Sequence, residues 1–250
     1  MCARERHTDP VTEPYSPLPE DWDRALVVVA HPDDMEYGGS GAVARWTRQG
    51  RQVVYLLVTR GEAGIDTLDP AECGRVREAE QRAACAAVGV EGVEFLDHPD
   101  GLIEYGIPLR RDIAAAIRRH RPELLVISNH RETWPGGTAL NMADHVHTGR
   151  AAIDAARDAG NRWIFQGDGG EPWGGVHRIA VAASPLAAHA VDITATFDRA
   201  VASLVEHRAY LEALGGPMAD PATFLRAGAE NAAARLEGAE LATSFELLEL

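Results

Sequence analysis

Apolar positions along the chain fall into short, nearly continuous runs. Residues 26–30 read LVVVA, 53–58 VVYLLV, 93–96 VEFL and 124–128 LLVIS. Runs that are apolar at successive rather than alternate positions suit strands buried on both faces. Helical spacing fills the intervals. Residues 39–49 carry Ala42, Val43 and Trp46, and 71–88 are rich in Ala, Arg and Glu and stop at Gly89. Residues 109–120 place Ile113 and Ile117 four apart ahead of Pro122, and 144–159 end at Gly160. Glycine just past a helix and proline soon after it are the usual stop signals. Further on, 176–183 and 190–194 read as strands, 198–214 as one helix, and the tail beyond Gly215 as helix and loop. Prolines at 10, 14, 17 and 19 mark residues 1–22 as an extended arm. The strand–helix alternation predicts an α/β fold with a mainly parallel sheet covered on both faces, formed by residues 23–250 as a single domain.

Ligands of such sheets bind beyond the carboxyl ends of the strands. The segments at those ends are His31-Pro32-Asp33-Asp34, Thr59-Arg60-Gly61-Glu62-Ala63-Gly64, Asp97-His98-Pro99-Asp100-Gly101 and Asn129-His130-Arg131-Glu132. One site would collect all four.

Composition narrows what that site can bind. The 250 residues hold 24 Lys and Arg against 38 Asp and Glu, a formal net charge of −14. Such a surface repels polyanions, so nucleic acid and anionic membrane are poor partners. Cys2, Cys73 and Cys85 form no CxxC pair and read as free thiols of a reducing compartment. The N-terminal residues lack the apolar core of a signal peptide, and no run approaches the ~18 apolar residues of a membrane span. These features predict a cytoplasmic protein.

Gly39-Ser40-Gly41, between a strand and a helix, faintly resembles a dinucleotide-binding loop, but Asp33, Asp34 and Glu36 precede it and Ala44 stands where a third glycine belongs. Three carboxylates would repel a pyrophosphate. A divalent cation reverses the argument, because imidazole and carboxylate are both good ligands for zinc. His31 and Asp34 stand three apart across a stiffening proline, and Asp33 between them suits a base for a metal-activated water. A helix cap would need only one of these residues. A third ligand is expected from Asn141-Met142-Ala143-Asp144-His145-Val146-His147, where His145 and His147 are equal candidates on local pattern alone.

Together these residues resemble the GlcNAc-phosphatidylinositol and mycothiol-precursor de-N-acetylases, the PIG-L or LmbE-like family. AHPDD stands at 30–34, TxGExG at 59–64, the RxxE helix at Arg77 and Glu80, the DH element at Asp144-His145 and a late helical histidine at His207. The resemblance spans residues 24 to about 215. It implies a Rossmann-like three-layer fold, zinc (or another divalent metal) held by His31, Asp34 and His145, Asp33 as general base, and Asp144 orienting a histidine near the metal. Many members carry a histidine where this chain has Met142, and a thioether cannot donate to an oxyanion; His130 and His147 are the substitutes at hand. Asp97-His98-Pro99-Asp100 reads as a turn rather than a second metal site, with Asp100 lining the pocket. Arg60, Glu62, Arg77 and Glu80 read as a structural ion-pair set ahead of substrate contacts, and His207 as a packed or substrate-facing residue.

The expected reaction is hydrolysis of an N-acyl, foremost N-acetyl, amide on an amino-sugar-containing small molecule. The alternatives are a nucleotide-binding enzyme, which lacks its glycine fingerprint here, and a non-catalytic binding member of the same fold. A homo-oligomer is compatible with this reading, although no residue argues for one.

Overall fold

The computed structural model describes residues 13–250, so most of the predicted arm lies outside the described residues. The strands are β1 (Ser16–Pro17), β2 (Arg24–Val29), β3 (Gln52–Leu57), β4 (Gly92–Phe95), β5 (Leu124–Ser128), β6 (Arg178–Ala182), β7 (His189–Asp192) and β8 (Ala242–Glu249). They form one sheet in the order β1-β7-β8-β6-β5-β2-β3-β4, parallel throughout except that β8 runs against both of its neighbours. Six strands lie within about two residues of their predicted positions.

Side chains of β2 and of Ala30 just after it alternate between two apolar layers. Ala25, Val27 and Val29 face Trp46, Phe197 and Phe245, while Leu26, Val28 and Ala30 face Leu109, Ile113 and Ile117. The first layer is covered by α1 (Asp34–Gly38), α2 (Ser40–Arg48), α3 (Pro70–Ala87), α6 (Phe197–Val205) and α8 (Pro221–Ala233), and the second by α4 (Ile107–His120) and α5 (Ala143–Gly160). A parallel sheet needs both coats, because neither face can meet water. Local signals set the helix ends. Pro70 opens α3 under an Asp69 cap that accepts the Ala71 N–H at 3.0 Å, and α4 stops at a left-handed Arg121 before Pro122.

Three expectations are corrected. The helix expected at 198–214 is two, α6 and α7 (Arg208–Leu214), broken at a His207 with no exposed surface. The tail expected as helix and loop contains β8, which enters the sheet between β6 and β7. The end of the arm is built into the fold: β1 pairs with β7, and Trp22 packs edge-on against Trp46 with ring centroids 5.1 Å apart.

The register brings the strand ends level. Val29 of β2 lies beside Leu57 of β3, Val28 beside Ile127 of β5, and the Thr59 hydroxyl donates to the Ala30 carbonyl at 2.9 Å.

Candidate metal centre and active site

The chain turns sharply after β2. Asp33 has φ 86° and ψ −20°, a left-handed conformation, and its side chain makes no capping bond to α1. A residue with a Cβ pays about 1 kcal/mol or more to sit there, so neighbouring bonds must hold it. The turn delivers His31 and Asp34 to one point, and α5 delivers His145.

The donor atoms converge. Asp34 Oδ1 lies 2.9 Å from His145 Nε2 and 3.8 Å from His31 Nδ1, and the two ring nitrogens are 3.2 Å apart. The far side of each residue fixes which atoms these are. His31 Nε2 faces Asp100 Oδ1 at 2.9 Å and Asp144 Oδ2 at 3.1 Å, so it carries the hydrogen and leaves a lone pair on Nδ1. His145 Nδ1 donates to Asn141 Oδ1 at 2.9 Å, leaving a lone pair on Nε2. The Asn141 amide is itself oriented, since its Nδ2 donates to the Asn129 and Arg131 carbonyls. Asp34 Oδ2 accepts the Ala30 and His31 N–H groups, both at 3.0 Å, turning Oδ1 inward. With both imidazoles neutral, three lone pairs thus meet with no hydrogen between them. Ligands of a tetrahedral ion at 2.0–2.1 Å stand roughly 3.3 Å apart, which is the size of this triangle. His31, Asp34 and His145 could hold a metal ion, and the donor set fits one.

The electrostatics agree. Burial disfavours charge on His31, yet hydrogen bonds to Asp100, Asp144 and Asp34 push its pKa well up. His145 is raised likewise by Asp34 against the cost of burial. Burial would raise Asp34, but the charge and hydrogen bond of His145 hold it well below the usual carboxylate range. The cluster favours positive charge at its centre, whether from protons or from a cation. Asp33 differs: burial raises its pKa to about 6, Arg77 opposing. Its Oδ2 lies 3.3 Å from Arg77 Nη2, too poorly aligned for a hydrogen bond, and has no hydrogen-bond partner among the described residues.

The other expected residues are placed as follows. Asp144 accepts the Gly101 and Ile103 N–H groups at 2.7 and 3.2 Å, tying the loop after β4 to His31. His147 turns away, its Nδ1 donating to the Ile103 carbonyl at 2.6 Å. His130 packs against Gly149, with Arg131, Glu246 and Arg150 as its charged neighbours; it enters none of the hydrogen bonds or ion pairs of the cluster. Met142 is half exposed. His98 bonds Asp112 at 2.9 Å, as a turn residue would. The expected ion-pair set does not pair internally: Arg60 meets Glu78 and Asp97, Glu62 accepts the Asp100 and Arg60 N–H groups, Glu80 accepts Ala209 N–H, and Arg77 lies beside Asp33. His207 is packed, 3.7 Å from Glu36. Pattern reading missed Asn141, though its spacing four before His145 was a usable signal. It also missed Trp134, edge-on to His145, and Gln81; a polar residue inside a helical pattern resembles one facing water.

Residues 26–156 match the family signature described as GlcNAc-PI de-N-acetylase, more than half of the chain. The chain belongs to the PIG-L family. Among curated PIG-L relatives, a diacetylchitobiose deacetylase of Thermococcus kodakarensis is 30% identical over 152 residues, covering 60% of this chain and 54% of the relative. A 1D-myo-inositol 2-acetamido-2-deoxy-alpha-D-glucopyranoside deacetylase of Actinosynnema mirum is 41% identical over 145 residues, covering 49% and 51%. The chain thus spans about half the length of the curated relatives it matches. The solved N,N'-diacetylchitobiose deacetylase of Pyrococcus horikoshii shares the fold, with a TM-score of 0.81 at 22% identity, over 92% of this chain and 85% of that one.

Proposed function

We propose that this chain is a metal-dependent hydrolase that removes an N-acetyl group from an amino-sugar-containing small molecule. The observation that carries this reading is the convergence of three lone pairs, from His31, Asp34 and His145, beside the buried Asp33. Two imidazoles, one carboxylate and an open position suit zinc. The named relatives act on acetylated amino sugars, which supports the substrate class.

A divalent ion bound there would polarise the amide carbonyl, stabilise the developing oxyanion and acidify a water. Asp33, with free lone pairs on Oδ2, accepts the proton of the attacking water and returns it to the leaving amine. Arg77 opposes the burial that would keep Asp33 protonated. Asp144 and Asp100 hold the His31 ring, and Asn141 holds His145. Neither Met142 nor His130 supplies a donor to the oxyanion in this scheme. An open groove of about 350 Å³ is lined by Arg60, Glu62, Arg75, Asp97 and His98 among others, and its Glu62 accepts the Asp100 N–H at 3.1 Å; it offers polar contacts to a sugar.

The test is amine release from N-acetylglucosamine, diacetylchitobiose and N-acetylglucosaminyl-inositol, with zinc-loaded protein, after chelation and after zinc is restored. Release that stops on chelation and returns with zinc supports the proposal. A metal-loaded protein that frees no amine from any of them overturns it in favour of a binding member of the fold.

A further inference from the structure

Asp33 keeps its left-handed backbone only if something holds the peptide that precedes it. That peptide, Pro32–Asp33, is gripped at both ends from one face of α3. Arg77 Nη2 donates to the Pro32 carbonyl at 2.6 Å, and Gln81 Oε1 accepts the Asp33 N–H at 3.0 Å. Arg77 and Gln81 are four apart and so lie one turn apart on the same side of the helix. The carbonyl and N–H of a trans peptide point in opposite directions, so bonds to both fix the tilt of the plane; with the Asp33 carbonyl held on the other side by the Tyr37 N–H at 3.0 Å, φ of Asp33 is set.

We infer that Gln81 is a positioning residue for Asp33, acting through this peptide to aim the carboxylate at the metal centre. The inference rests on the reading of Asp33 as the base. Gln81 is 1% exposed, and its other end is also committed: Nε2 donates to Glu36 Oε1 at 3.1 Å, which turns the amide oxygen toward Asp33. Its buried neighbours on α3 include Cys73, Gly74, Ala84 and Cys85. An apolar side chain at position 81 would suit that face but leave the Asp33 N–H without an acceptor.

The experiment compares Gln81→Met, Gln81→Glu and the double variant Glu36→Gln with Gln81→Glu, each as the metal-loaded full chain. Methionine fills the same space without either hydrogen bond; kcat is expected to fall on the order of 10- to 100-fold with KM and bound metal nearly unchanged. Gln81→Glu sets two carboxylates face to face and should lose as much. The double variant exchanges donor and acceptor, conserves charge, removes the carboxylate repulsion and leaves an oriented acceptor for the Asp33 N–H, so it should recover most of kcat. Wild-type kcat in Gln81→Met, or no recovery in a double variant as thermally stable as wild type, overturns the inference. An inactive wild-type protein is a failure of the hydrolase reading instead. In that case a crystal structure of Gln81→Met decides: Asp33 is expected to leave the left-handed region, and an unchanged φ refutes the role of Gln81.

Discussion

Two buried arginines, on helices that cover opposite faces of the sheet, meet different surroundings. Arg118 of α4, 4% exposed, donates to the carbonyls of Asp158, Ala159, Asn161, Ile164, Phe165 and Asp168. Each of its three nitrogens is engaged, and the loop after α5 is wrapped around it. Arg77 of α3, 2% exposed, donates to Pro32 and Gly61, stacks 4.1 Å over the Tyr210 ring and leaves Nε without a hydrogen-bond partner among the described residues. Near it, Asp33 Oδ2, Glu36 Oε2 and both ring nitrogens of His207 also lack hydrogen-bond partners among the described residues. Buried polar groups are ordinarily satisfied, so a cluster of exceptions marks a place shaped for something other than stability. One guanidinium closes a scaffold; the other borders a site kept polar and incomplete.

The sharpest separation of the two regions comes from Asp33→Asn. It should lower kcat by roughly 10²- to 10⁴-fold, with bound zinc unchanged by elemental analysis; His145→Ala should instead lose the metal. Full turnover in the first, or full zinc content in the second, would remove the site half of the contrast. Arg118→Met should act the other way. It takes the guanidinium from six carbonyls, of which those of Asp158, Ala159, Asn161 and Phe165 keep a backbone N–H, and should cost roughly 3 kcal/mol, seen as a melting temperature lower by about 10 °C, while kcat per folded molecule stays at the wild-type value. Chelation comes next in size. A ligand at a hundred times its Kd stabilises by about 2.7 kcal/mol, so removing zinc should lower the melting temperature by several degrees in wild type and Arg118→Met alike. No shift on chelation would mean that no ion is held. The smallest effect belongs to Glu246, where burial is outweighed by Arg131 and Ser184 and the pKa is lowered. A lowered carboxylate stabilises the fold above its unfolded pKa and loses that contribution as pH falls through the folded value. Glu246→Gln should therefore cost a little stability at neutral pH and flatten the loss on the acid side, measured by urea unfolding at several pH values.

The parts of the fold that were legible from sequence share a cause: continuous apolar runs and stop residues act locally. The segment 30–34 was legible as a candidate metal-binding turn because histidine and two aspartates after a buried strand have few other uses. β8 was not, since ATSFELLE has neither strict alternation nor a continuous apolar run, and its antiparallel place is decided by β6 and β7. The break at His207 was hidden in a good helical pattern and depends on α1 packing behind it. Arg77 and Gln81 look solvated on α3 until the helix is docked; which polar side chain is buried is a property of the pair of surfaces.

The position of β8 also orders events in time. β7, and β1 through it, join the rest of the sheet only across β8, the last of the described strands in sequence. During synthesis, residues 189–192 leave the ribosome long before 242–249, and until then β6 has an open edge. His31, Asp34 and His145 all precede that gap, so their strands and helix can associate while the far edge of the sheet is still unpaired. Early assembly of the centre and late closure of the edge leave a window in which a nascent chain is prone to pairing with another copy.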